Sequence, residues 1–146
     1  MTALFEHSPW VEARADARPS SGDRHADLMA GVHDATPEER LALIRAHPEL
    51  AGKAAVDGTL TEASAAEQAS AGLDRLTQAE FDRFHALNAA YREKFGFPFI
   101  ICVRLTDKAG ILAAMERRLA NDRATEIAAA LSEIGEIARL RLESIA

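Results

Sequence analysis

Apolar positions recur at three- and four-residue spacing along most of the chain, the period of helices that bury one face. The clearest run, TQAEFDRFHALNAAYREKFG, puts Phe81, Phe84, Leu87, Tyr91 and Phe95 on one stripe. Thr77 and Glu80 form a capping box ahead of it and Gly96 stops it. Near the C-terminus, DRATEIAAALSEIGEIARLRLESI repeats the pattern with Ile127, Leu131, Ile134, Ala138 and Arg141, widened by Ile137, Leu140 and Ile145. Asp122 caps that helix and Asp107 caps DKAGILAAMERRLAN before it. TPEERLALIRAH carries Thr36 as cap, Pro37 at the first position and Glu39 closing a capping box, with Leu41, Ile44 and Leu43 toward the core. It ends at His47, because Pro48 disfavours helical geometry in the residue before it. Shorter helices are predicted in SPWVEARA, with Ser8 as cap and Pro9 in the first turn, in the segment holding Leu28, Met29 and Val32, and in TEASAAEQASAGL, opened by Thr61 and closed by Gly72. One segment breaks the period: FPFIICVRL runs aromatic and β-branched residues together. The pattern predicts an all-α, single-domain helical bundle over residues 1–146, of about six to seven helices, with one extended apolar segment near residues 97–104.

Composition narrows the function classes. The 146 residues are 48% hydrophobic and 27% charged, an ordinary globular balance, and the net charge of −6 lacks the basic footprint of nucleic-acid binding. Cys102 is the single cysteine, so no internal disulfide forms, which fits a reducing compartment. No apolar run has the length of a membrane span, and MTALFEHSPW lacks a basic region followed by an apolar stretch. The expected location is the cytoplasm, with no membrane partner. No CxxC or HExxH spacing occurs, and His25 and His33 stand eight apart rather than the four that joins two ligands on a helix face, so no metal site is expected. Phosphate-cradling and nucleophile-elbow motifs are absent.

Three stretches carry candidate chemistry. His47, in AHPELAGK, stands at a helix C-terminus, which favours imidazolium and suits a general acid; the same position suits a histidine that merely caps free carbonyls. Ser64, Glu67 and Gln68 lie three and four residues apart on one helical face. A hydroxyl, a carboxylate and an amide there suit a urea-like ligand that donates and accepts; the other reading is a solvated face. In FGFPFIICVR, a buried extended stretch has backbone groups with no ladder to join, and a ligand with amide edges would satisfy them. Arg104 at its end could grip a carboxylate with its planar fork. The alternative is a connector whose backbone pairs with side chains or water and whose arginine lies on the surface.

Taken together and in order, FEHSPW, HPELAGK, LTEASAAEQASAGLDRLT, FHALNAAYREKFGFPFIICVR and RRLANDRATEIAAAL with EIARLRL resemble the 2-oxo-4-hydroxy-4-carboxy-5-ureidoimidazoline (OHCU) decarboxylase family of urate degradation, from about Phe5 onward. The resemblance implies an all-α fold, usually a homodimer, no metal or organic cofactor, and loss of CO2 from a small ureidoimidazoline to give S-allantoin. It assigns the family's catalytic histidine to His47 and the adjoining proline to Pro48. It places substrate contacts at Ser64, Glu67 and Gln68, and along Phe99, Ile100, Ile101, Cys102 and Val103, followed by Arg104. The family pattern also has a further helix upstream of FEHSPW, which bears on the dimer surface, and more often aspartate at the position of Glu49. On this reading His47 is the acid, and Glu67 holds the imidazole or the substrate's hydroxyl and ureido donors. Ser64 and Gln68 fix the ureido group, and amides of residues 99–103 meet the ring edge. Two rivals are a non-enzymatic helical module on the same scaffold and a hydratase or hydrolase acting on a related ureido compound.

Overall fold

A computed structural model describes residues 5, 8–17, 19–47, 50, 62–73 and 76–145; side chains of 62–64, 144 and 145 are outside that description. The described residues form seven α-helices and one 3-10 turn, with no strand among them. We number them α1 (Trp10–Asp16), α2 (Arg24–His33), α3 (Pro37–Arg45), α4 (Glu62–Ser70), α5 (Gln78–Phe95), α6 (Lys108–Arg118) and α7 (Arg123–Ile145), with the 3-10 turn at Val103–Leu105. The all-α expectation and its helix number are met.

The start signals act as the sequence predicts, with one shift. The Thr36 and Thr77 hydroxyls each accept from the backbone N–H three residues on, at 3.1 Å in both cases, and Glu39 and Glu80 close the boxes. Asp107 accepts from the Gly110 N–H and Asp122 from the Thr125 N–H. Ser8, however, does not cap α1: Pro9 takes the cap position without a side-chain bond, so the helix begins one residue later than its proline implies. The predicted Thr61 cap lies outside the described residues. Helix α3 ends at Arg45 with Ala46 as its cap, which leaves His47 just beyond the last turn.

The core is lined by the predicted stripes. Phe84, Tyr91 and Phe95 of α5 and Ile134 and Ala138 of α7 are buried, together with Leu28 and Val32 of α2. On α3 the buried pair is Leu43 and Ile44, with Leu41 only partly covered, so the core face sits slightly to one side of the expected one. Helix α1 packs on α2, α2 and α3 both pack on α7, and α5 packs on α6. Gly96, at φ 80°, takes the left-handed geometry that ends α5 and turns the chain into the extended segment.

That segment is a buried connector, with Phe97, Phe99 and Ile100 almost fully covered. Tyr91 sits among its rings, 5.9 Å from Phe97 and 5.2 Å from Phe99 in edge-on contacts. Arginines satisfy carbonyls at its entry and within it. Arg123 donates to Phe95 O (3.1 Å), Arg45 to Gly96 O (3.1 Å) and Arg118 to Ile100 O (2.8 Å). A backbone with no ladder is thus pinned by side chains reaching in from three different elements.

Candidate active site

The described candidates converge on one cleft of about 450 Å³, open at its mouth. Its walls include His47 from the end of α3, Glu67 and Gln68 from α4, the run Phe99 to Arg104, and Ile137 and Arg141 from α7. Pro48 lies outside the described residues. Ser64 falls within α4, but its side chain lies outside the description.

His47 shows the capping contact that its position offers. Its Nδ1 lies 3.0 Å from the Leu43 carbonyl, one turn back. A carbonyl only accepts, so Nδ1 carries the hydrogen and donates it. The imidazole therefore caps the helix end through Nδ1. The capping contact keeps a hydrogen on Nδ1.

Glu67 is held by a partner that sequence reasoning did not assign to the site. Arg141 donates from Nε to one Glu67 oxygen at 2.9 Å and from Nη2 to the other at 2.7 Å, a bidentate fork. The two side chains are only 5% and 12% exposed, so this is an ion pair in the wall of a cleft rather than on a surface. Each carboxylate oxygen keeps a further acceptor site for a ligand. A signal existed: Arg141 interrupts the apolar stripe of α7 after Ile134 and Ala138, and a charge on a buried face requires a partner. Gln68, next to Glu67, is itself buried, so this face of α4 is not a solvated one.

The connector forms the facing wall. Its amides are not equivalent. The Cys102 N–H is already donated to Glu133 Oε1 at 3.3 Å. The Cys102 thiol is held above its ordinary value, first by burial and then by the nearby Glu133, Glu67 and Glu136 carboxylates, so it stays a protonated wall group. Arg104 is exposed in the 3-10 turn and lies at the cleft rim.

Behind that wall lies a second group that the stripe pattern did not reveal. Glu126, fully buried, accepts from Tyr91 Oη at 2.6 Å, from Arg118 Nε at 2.8 Å and from Asn121 Nδ2 at 2.9 Å. The Arg118 guanidinium also lies over the Phe99 ring at 4.4 Å. Burial, reinforced by Glu126, pushes the Tyr91 hydroxyl above its usual range. No cluster of metal-ligating side chains occurs among the described residues.

The OHCU decarboxylase sequence model matches residues 1–143. The chain is 44% identical over 142 residues to a 2-oxo-4-hydroxy-4-carboxy-5-ureidoimidazoline decarboxylase of Haloferax volcanii, covering 95% of this chain and 82% of the relative. It is 44% identical to the Amia calva protein of the same name, covering 97% and 83%. It is also 42% identical to the uric acid degradation bifunctional protein of Bacillus subtilis, where it covers 98% of this chain but 29% of the longer relative. Among solved structures, an (S)-allantoin synthase aligns at TM-score 0.71 with 32% identity, over 97% of this chain and 46% of that one. An OHCU decarboxylase crystallised in the presence of (S)-allantoin aligns at TM-score 0.77 over 97% and 93%, and its 22% identity bears on the fold alone. With the order of its motifs, the geometry of its cleft and these likenesses in agreement, the chain belongs to the OHCU decarboxylase family.

Proposed function

We propose that this cleft decarboxylates 2-oxo-4-hydroxy-4-carboxy-5-ureidoimidazoline to (S)-allantoin in urate degradation. The observation that carries the reading is the convergence on one cleft of a tautomerically fixed imidazole, an oriented carboxylate and a peptide edge. The substrate can do the electronic work itself. The bond to CO2 breaks, and its electron pair moves into the ring toward the conjugated C=N nitrogen, which takes up a proton from solvent. The resulting enol then takes a proton on the ureido-bearing carbon as its hydroxyl becomes a carbonyl. What remains for the protein is orientation, charge stabilisation and delivery of that proton to one face.

His47 Nε2 is the proton donor in this scheme, with Nδ1–H anchored on Leu43 O so that the ring cannot swivel. Glu67, aligned by Arg141, accepts from the substrate's hydroxyl or ureido N–H groups. Ser64 and Gln68 take the rest of the ureido group, Pro48, next to the imidazole in sequence, is a further substrate contact, and the connector from Phe99 to Val103 meets the ring. Arg104 at the rim attracts the anionic substrate.

Product analysis tests the reaction class. With substrate supplied by uricase and hydroxyisourate hydrolase, the protein should accelerate CO2 release. Ammonia or urea in its place would make it a hydrolase, and no acceleration would leave a non-enzymatic module.

The reading extends to organisation. The chain acts as one domain and pairs as a homodimer, as the family resemblance implies; sedimentation showing a strict monomer would contradict this. A single cysteine, buried and unpaired, supports a cytoplasmic setting. No helix among the described residues is long and apolar enough to cross a membrane.

A further inference from the structure

The mechanism leaves two buried or part-buried charged side chains unused, and both touch the same short piece of backbone. Arg118 donates from Nη1 to the Ile100 carbonyl at 2.8 Å, and Glu133 accepts from the Cys102 N–H at 3.3 Å. Neither side chain lines the cleft, whereas Ile100, Ile101 and Cys102 all do. The two contacts bracket Ile101 and fix the peptide groups on either side of it.

A trans peptide points its C=O and its N–H in opposite directions, and no cis bond occurs among the described residues. The Ile100 carbonyl faces Arg118, so the Ile101 N–H faces away from Arg118. The Cys102 N–H faces Glu133, so the Ile101 carbonyl faces away from Glu133. Neither polar group of Ile101 meets a partner among the described residues. A half-covered donor and acceptor on one residue, in the wall of a cleft, are a place for a ligand that offers the complementary pair.

We propose that Arg118 and Glu133 are positioning residues that turn the N–H and C=O of Ile101 into the cleft, as a donor–acceptor edge for the cyclic amide edge of the substrate ring. The inference rests on the functional reading above and adds how its backbone contact is built. Arg118 suits the task because it is itself immobilised: Glu126 holds its Nε, and its plane lies over Phe99. Glu126 is in turn fixed by Tyr91 and Asn121. The cluster therefore ties the peptide plane at Ile100 to three helices at once, α5, α6 and α7. Glu133, one helical region further along α7, sets the second plane. A ring edge that binds equally in ground and transition states lowers KM rather than raising kcat.

The test uses the full chain with isotope labels on isoleucine, cysteine and histidine, and (S)-allantoin as probe. In the wild type, the Ile101 amide and carbonyl resonances should shift on titration, and the Cys102 amide, occupied by Glu133, should shift less. Glu133→Ala should abolish the Ile101 response and raise KM about tenfold, the scale of one neutral hydrogen bond, with kcat within about threefold. Glu133→Gln keeps an acceptor for the Cys102 N–H and should restore both. Arg118→Lys, which can reach Glu126 or Ile100 but not both, provides a second variant with the same expected signature. An Ile101 edge indifferent to (S)-allantoin in an active wild type overturns the inference alone. So does a folded Glu133→Ala with unchanged KM. A wild type that neither decarboxylates nor shifts its His47 resonances with (S)-allantoin defeats the functional reading instead.

Discussion

Cutting the Glu67–Arg141 pair separates the stability of the cleft from its chemistry. Arg141→Met keeps the length and apolar stem of the side chain and removes the fork. Glu67 is then left 12% exposed without the two bonds of 2.9 and 2.7 Å that compensate it. Removing one partner of a buried pair costs about 3–5 kcal/mol. The cleft lets water reach the gap, so we expect the low end, about 3 kcal/mol, and a melting temperature lower by roughly 10 °C for a chain of this size. Urea unfolding followed by far-ultraviolet circular dichroism gives the first figure directly. The double variant Glu67→Leu/Arg141→Met removes both charges, and an apolar pair of similar volume should recover most of the lost stability. Activity should stay lost in both, because the oriented carboxylate is gone. A cost below about 1 kcal/mol for Arg141→Met would place the pair among weak surface bridges and refute the reasoning. Full activity in the stable double variant would remove Glu67 from the chemistry.

Three further expectations follow from named contacts. Tyr91 is the single tyrosine, so tyrosinate absorbance reads it alone; its folded-state value lies above the ordinary 10, and the stability it adds is present below 10 and lost as pH rises further. Its absorbance should therefore appear only together with alkaline unfolding, and ionisation at 10 in the folded protein would contradict the buried Glu126 contact. Glu39 is held at about 2, first by the Arg14 side chain and then by the Thr36 N–H, so its contribution is present above 4.5 and lost as pH falls toward 2. Glu39→Gln should accordingly be less stable than wild type at pH 7 and indistinguishable from it near pH 2 in thermal melts. Gly96→Ala forces a left-handed alanine at φ 80° and should cost about 1–2 kcal/mol, and a neutral result in urea would mean that the connector re-routes freely.

Local rules made most of the helices legible. Capping boxes at Thr36 and Thr77, aspartate caps at 107 and 122 and the stop at Gly96 act within one turn of the chain, and all five hold. The connector was legible as a break in period, and its position against the cleft followed from the family resemblance. What sequence pattern did not reveal depends on pairing across the fold. Arg141 and Glu67 are 74 residues apart, and nothing in the surroundings of either one names the other. Glu126, Arg118 and Tyr91 read as ordinary helix residues until three helices bring them together. The unequal roles of the Ile101 and Cys102 amides likewise depend on which distant side chains reach the backbone. At His47 the capping reading holds, with Nδ1 on the Leu43 carbonyl, and the acid role rests on the proposed function.

The handedness of the product tests the central claim most directly. The substrate decays without a catalyst, so speed alone is a weaker mark than the face that receives the proton. Circular dichroism of allantoin formed from enzymatically generated substrate should show the S enantiomer with the wild type. With His47→Ala the rate should fall by about 10²–10⁴, the range for loss of a general acid, and the signal should decay to that of the racemate. Racemic allantoin formed at the spontaneous rate in the presence of wild-type protein, or full stereoselective activity in His47→Ala, would contradict the account.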